Sequence, residues 1–443
     1  MARRFGSLGV LTAFTALAAA CLLPAPAAAE GKGALSLSSR SYLLAFERED
    51  AAGGETNHLP LYEYLSLDAT EVGGVPVSAH FYGMGRIDLR DDTGSGPESG
   101  DVGAFFVEYR HPTGGGEAKA GRFFLAEGGA FETIDGAFVK GRFPGGVGLA
   151  LFGGKPVEQG GAVSPGDVLY GARAFLARAG AAELGVSCLR EQGDFPERDG
   201  SLSDRTLASV DLWTRVPALP VELSGRADYE LATEGFSRKR LTLRARPATT
   251  VDLSVGYDGY DTKNLSHGAT NGAFLRSLPA YSLSDQVDVL SFAGSWQAAG
   301  ALSLDAAAKA VRHSEGVVGD AALGTLGARL GYNDGKDSAG ADVTVCRGDR
   351  GEDRFNEFRL FATWSPGKAR FTADALADYY EEEIVAGRPK ESYQVTGTAS
   401  LDVTESIRVG GDVRWTDGPR LSDDLALLAR VSMGFSLPTG GTK

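Results

Sequence analysis

Cysteine is nearly absent. Of the three in the chain, Cys21 lies within the first thirty residues, which leaves only Cys188 and Cys346 for the remainder. That excludes a disulfide-stapled scaffold and a four-thiolate metal site, and without a Cys-x-x-Cys-His motif the chain cannot attach c-type haem by that route. Cys188 and Cys346 can join in an oxidising compartment, yet they fall in separate regular segments and read better as two inert thiols. Histidine is equally sparse: His58, His80, His111, His267 and His313 are isolated, without metal-ligand spacing. There is no nucleophile elbow and no phosphate-binding glycine motif, and Gly128-Gly129 and Gly145-Gly146 fit turns. Positive charge is short as well. The 44 Lys and Arg face 58 Asp and Glu for a net charge of −14, which argues against a nucleic-acid partner.

The one long apolar run comes first. Arg3 and Arg4 precede an apolar stretch from Phe5 to Leu23, and Ala27-Ala28-Ala29 stand immediately before Glu30, the pattern of a cleaved secretory leader. A single membrane helix is the alternative, and the small-residue ending favours cleavage. Cys21 after Ala18-Ala19-Ala20 allows a lipoprotein site or an ordinary apolar-region residue, and the second reading fits the processing site that follows. Removing residues 1 to 29 takes away two arginines and no acid, so 414 residues remain with a net charge of −16. In a soluble protein that length suggests two or more domains. No linker or compositional break divides it, as expected of one closed sheet.

What fills the remainder is a repeated two-residue period. From Leu219 the apolar set reads Leu219, Val221, Leu223, Ala227, Tyr229 and Leu231, while Glu222, Ser224, Arg226, Asp228 and Glu230 intervene. Alternation places the two sets on opposite faces of a strand. It recurs from Tyr393 through Val403 and from Ile407 through Trp415. A soluble sandwich or a β-solenoid also alternates. These segments, however, approach the span of a tilted membrane strand, and one face stays apolar to both ends. The expected fold is therefore all-β, a closed antiparallel transmembrane barrel in a bacterial outer membrane, because closure pairs edge groups that lipid cannot satisfy. The expected organisation is a leader at 1–29, one barrel at 30–437 and a short tail at 438–443.

Twenty-two candidate strands are found, with 18 or 20 as alternatives, the weakest being 147 to 153. Long connections, such as 260 to 285 and 381 to 390, alternate with short ones, such as 179 to 181 and 246 to 249. Long connections are expected outside and short turns in the periplasm, which places both termini in the periplasm. The connection 333 to 339 is out of step, falling on the short side despite its length. Tyr229, Tyr257, Tyr379 and Trp415 fall at one level and Trp296, Tyr332 and Trp364 at the other, as in interfacial girdles, although aromatics favour strands everywhere.

Residues 35 to 437 resemble large porin-like outer-membrane barrels. Leu61-Tyr62-Glu63-Tyr64-Leu65 and Phe81-Tyr82-Gly83-Met84-Gly85-Arg86 also resemble a segment of barrels from metal-reducing bacteria. The alternating Leu427, Ala429, Val431, Met433, Phe435 and Leu437 resemble a barrel-assembly signal, but the chain continues to Lys443 instead of stopping at an aromatic. The resemblance implies a passive channel, often trimeric, with a loop folded into the lumen; no cofactor is expected. It also implies outer-membrane lipids and the assembly machinery as partners, with a homo-oligomer or a periplasmic partner left open. With no plug domain ahead of the first strand, a gated receptor is not expected.

For a channel, the lumen face is the site. Candidate lumen residues are Arg226, Asp228, Glu230, Arg244, Arg246, Asp252, Arg370, Asp374, Asp412 and Arg414. Opposed charges set a transverse field for hydrated solutes, or pair across strands and merely solvate the wall. The long 260–285 connection offers Lys263, His267, Phe274, Arg276 and Tyr281 as a constriction if it folds inward, or as an external loop if it does not. The leading expectation is a porin-like passive channel for small hydrophilic solutes. The alternatives are a sheath or anchor around a partner, including a cytochrome conduit, and a surface adhesin or structural wall protein. An enzyme is not favoured, though barrel hydrolases can assemble distant groups; His80 or His111 close to a serine and an acid would reopen that reading.

Overall fold

A computed structural model describes residues 33–49, 55–71, 74–90, 98–157, 168–196, 202–216, 219–261, 286–314, 319–420 and 423–438. The expected leader, the tail after Pro438 and residues 262–285 lie outside the described residues. The first strands are β1 (Ala34–Glu49), β2 (Glu55–His58), β3 (Pro60–Thr70), β4 (Val77–Asp88), β5 (Glu98–Arg110), β6 (Gly116–Glu127), β7 (Ala130–Arg142) and β8 (Val147–Pro156). Next come β9 (Val168–Arg178), β10 (Ala182–Pro196), β11 (Leu202–Val216), β12 (Val221–Glu230), β13 (Gly235–Ala248), β14 (Val251–Asp261), β15 (Gln286–Gln297) and β16 (Leu302–His313). The rest are β17 (Ala321–Tyr332), β18 (Asp337–Gly348), β19 (Phe355–Trp364), β20 (Ala369–Tyr380), β21 (Glu391–Asp402), β22 (Ile407–Asp417) and β23 (Asp424–Pro438).

β2 and β3 flank Leu59 and both pair with β1, so they are two parts of one stave and the wall has 22. Every neighbouring pair is antiparallel. The ring closes where β1 meets β23, from Ala34↔Pro438 to Ala45↔Leu427. The 147–156 segment, weak in sequence, pairs with both its neighbours. The out-of-step connection is resolved too: Asn333, Asp334 and Gly335 all take positive φ, which tightens the turn to 333–336 and lets β18 begin at Asp337. Those residue types tolerate the left-handed region best.

The two faces follow from the alternation. Leu326, 69% exposed, and Leu360 and Phe105 point outward, whereas Arg226, Asp252, Asp374 and Asp412 share the inward parity. Such a surface needs lipid around it, since water would meet a continuous apolar band. Cys188 lies exposed on the outward face, Cys346 is buried, and both are free thiols.

The two faces predict opposite responses to charge. Leu326→Arg, on the outward face midway along β17, is expected to cost about 2–4 kcal/mol in a lipid-vesicle unfolding titration. Ala307→Lys, on the inward face of β16, is expected to leave the midpoint essentially unchanged.

Candidate functional site

Among the described residues the wall is interrupted between β5 and β8. β6 and β7 pair with each other along their whole length, from Gly116↔Gly141 to Glu127↔Ala130. β6 pairs with β5 only from Arg110↔Glu117 to Phe105↔Arg122, and β7 pairs with β8 only from Arg142↔Gly148 to Ile134↔Pro156. Residues 123–133 therefore leave the wall as a two-stranded flap. The departure point is built by glycine: Gly121 has φ +122°, and a Cβ there would run into the Phe105 carbonyl. Arg122 seals the root, donating to the Val102 carbonyl at 2.9 Å and to the Asp135 carboxylate at 2.8 and 2.7 Å.

The flap folds inward over β8 to β11. Its wall-facing side sets Phe123, Leu125, Ala130 and Ile134 against Phe152, Leu169, Leu189 and Leu207, the main buried apolar cluster among the described residues. At the tip, the Gly129 amide donates to Ser187 Oγ at 3.0 Å. The other side carries Phe124 and Phe131 edge to face at 4.7 Å. Both rings are exposed, Phe131 to 59%, and they are turned away from the wall.

Two buried arginines tie the flap down. Arg173 on β9 donates to Glu127 of the flap at 2.8 Å, to Glu183 at 2.8 Å and to Asp211 through Nε at 2.9 Å. Lys140 reaches the same Glu127 at 3.0 Å. Arg205 on β11, only 9% exposed, meets Glu132 of the flap at 3.2 Å, Glu191 at 3.3 Å and Glu230 at 3.7 Å. Glu230 in turn accepts from the Thr206 amide at 2.8 Å. Desolvating such charges is costly, so the cluster holds only because each guanidinium meets several carboxylates.

The ten sequence-selected lumen residues all lie on the inward face, most in local pairs. Arg226 meets Asp228 at 2.8 Å, Arg246 meets Asp252 at 2.6 Å and Arg359 meets Asp374 at 2.6 Å. Asp412 meets Arg430 at 3.4 Å and Arg414 meets Asp424 at 3.7 Å. Arg244 and Arg370 have no acidic partner among the described residues, and each lines an inward cavity, of about 660 and 720 Å³ respectively. Glu230 belongs to the flap anchor. Lys263, His267, Phe274, Arg276 and Tyr281 lie outside the described residues. His80 sits between Asp68 at 2.6 Å and Glu108 at 3.7 Å, and His111 meets Thr113 at 2.8 Å. Among the described residues neither meets a serine, and no group of side chains could hold a metal.

The flap itself was missed by sequence reasoning. Its signals were present: a two-residue connection on the side where connections are long, with Gly121 and Gly136 inside the flanking strands.

Wall and flap together define a large outer-membrane-type β-barrel with an occupied interior. No protein-family model matches the chain, and no curated protein matches it in sequence. Solved structures with a similar fold include the translocation pore of the P pilus usher PapC, 9% identical with a TM-score of 0.50 over 90% of this chain and 99% of that one. OccD3 of Pseudomonas aeruginosa is 11% identical with a TM-score of 0.41, covering 93% and 94% of the two chains. A BenF-like porin from Pseudomonas fluorescens is 9% identical with a TM-score of 0.42, covering 91% and 99%. At these identities the likeness is one of fold.

Arg205→Met leaves Glu132, Glu191 and Glu230 buried without their cation. It is expected to cost about 3–5 kcal/mol and to speed amide hydrogen exchange across residues 123–133 while β15 to β20 stay protected. Unchanged exchange in the flap would show that Arg205 does not hold it.

Proposed function

We propose that the protein is a porin-like passive channel for small hydrophilic solutes, with the flap of residues 123–133 as its constriction. The observation that carries this is the flap itself, packed inside a 22-stave wall. A barrel of that size encloses a wide lumen unless something restricts it. Here the restriction is a part of the wall, fixed by buried ion pairs, which leaves a narrowed path beside it. The inward rows of Arg and Asp supply the hydrated, mixed-charge surface that such a path needs. Arg244 and Arg370, without an acidic partner among the described residues, add fixed positive charge that passing anions meet.

A sheath around a folded partner fits less well, since the flap takes up cross-section that an enclosed protein would need. In the proposed orientation the long connections face outward and both chain ends face the periplasm, in the bacterial outer membrane.

In planar bilayers the purified barrel is expected to give single-channel currents, and replacing residues 124–133 by Gly-Gly is expected to enlarge the unit conductance. Absence of any open current across varied salt and voltage would sink the pore. An unchanged conductance in the shortened variant would remove the flap as its constriction.

A further inference from the structure

The tyrosine-rich segments of the sequence, Leu61 to Leu65 and Phe81 to Arg86, form neighbouring parts of β3 and β4. Their register sets Tyr62 opposite Arg86, Tyr64 opposite Met84 and Ser66 opposite Tyr82. β1 continues the patch, with Tyr42 opposite Tyr62 and Arg40 opposite Tyr64. All share the inward parity of Asp68 and His80, so four phenol rings and the Arg40 guanidinium converge on the lumen wall, with Arg86 beside them. They line a cavity of about 550 Å³ whose lining, among the described residues, has no carboxylate.

Three features make this more than a coloured stretch of wall. First, Tyr82 and Met84 are 43% and 38% exposed although they face inward. From β9 to β23, by contrast, every exposed large hydrophobic side chain within a described strand lies on the outward face. Apolar surface left open to an aqueous lumen is unfavourable unless something uses it. Second, Arg40 has no acidic partner among the described residues, whereas nearby Arg86 meets Asp88 at 3.6 Å and Arg430 meets Asp412 at 3.4 Å. Third, Tyr42 and Tyr64 stand perpendicular, with centroids 5.6 Å apart and planes at 87°. Two rings so arranged make a corner in which a third flat ring can stack on one and meet the edge of the other.

We propose that this cleft is a binding site for a small carboxylate carried on a planar ring. Arg40 takes the carboxylate, for which its forked donors are suited, and the tyrosine corner takes the ring. Among the described residues the lining itself places no acid against the anion. Arg40 also borders the 720 Å³ cavity, whose lining carries Arg370 together with the paired Arg408 and Asp402 and with Glu405. The site deepens the solute-channel reading and rests on it for its purpose, but binding can be measured without conduction.

The test is calorimetric titration of the purified, folded barrel in detergent with benzoate, cyclohexanecarboxylate and inorganic phosphate. Benzoate is expected to bind saturably and more tightly than either comparator. Arg40→Gln is expected to weaken it about tenfold, the loss of one charge-assisted contact, and Tyr64→Leu to erase the preference for benzoate over its saturated analogue. Arg40→Lys, which keeps the charge and loses the fork, is expected to fall between. Equal binding of benzoate and phosphate, or benzoate binding untouched by both Arg40→Gln and Tyr64→Leu in barrels that still migrate as folded, would overturn the proposal. Conductance without benzoate binding sinks the site and leaves the channel; binding without conductance does the reverse.

Discussion

At membrane depth a main-chain N–H or C=O that lacks a partner has neither water nor a lipid group to bond. The rest of the molecule depends on that constraint. It forces β1 onto β23 and fixes which side chains face lipid, because alternation along a fully paired strand leaves no choice. It also limits where the wall can be opened. The flap departs only at its tip half, beyond Arg122 and Ile134, where the stave pairs that remain still bridge β5 to β8 through β6 and β7. One carbonyl exposed by the departure, that of Val102, is taken by Arg122.

Once folded inward, the flap has edges that no described strand covers, and its position is set by side chains. The apolar cluster around Phe123 and Leu125 gives a non-directional hold, while Arg173 and Arg205 give register, since each fixes one flap carboxylate against carboxylates of the wall. Buried ion clusters of this kind contribute specificity more securely than net stability. The flap's other face presents Phe124 and Phe131, and the tyrosine patch lies on β1, β3 and β4 on the far side of the flap's root. The interior thus has an apolar, ring-bearing character in one sector and a charged one elsewhere.

Much of the wall was legible in the sequence because a two-residue period needs no long-range information. Tyr229 and Glu230 sort to opposite faces by position alone. The strand count held because turn chemistry marks the boundaries; where it misled, at 333–339, the cause was three consecutive residues able to take positive φ, which shorten the turn. The flap was not legible for the same reason that the wall was. Phe123, Leu125 and Ile134 alternate identically whether their strand stays in the wall or folds over it, and only Gly121's conformation and the distant partners Leu189 and Leu207 distinguish the two. Glu127 and Glu132 read as turn-flanking acids until Arg173 and Arg205, dozens of residues away, are brought to them. The lumen rows were legible as rows, but not the pairing within them, which depends on register.

The account turns on the flap being inside the barrel, and a designed crosslink tests that most directly. A Cβ at Gly129 would lie 3.6 Å from the Ser209 Cβ, within the range a disulfide requires. With Cys188 and Cys346 replaced by alanine, Gly129→Cys and Ser209→Cys are expected to oxidise to a bond in the folded barrel, leaving no thiol open to maleimide until reductant is added. Two freely labelled thiols in the folded, oxidised protein would contradict the account.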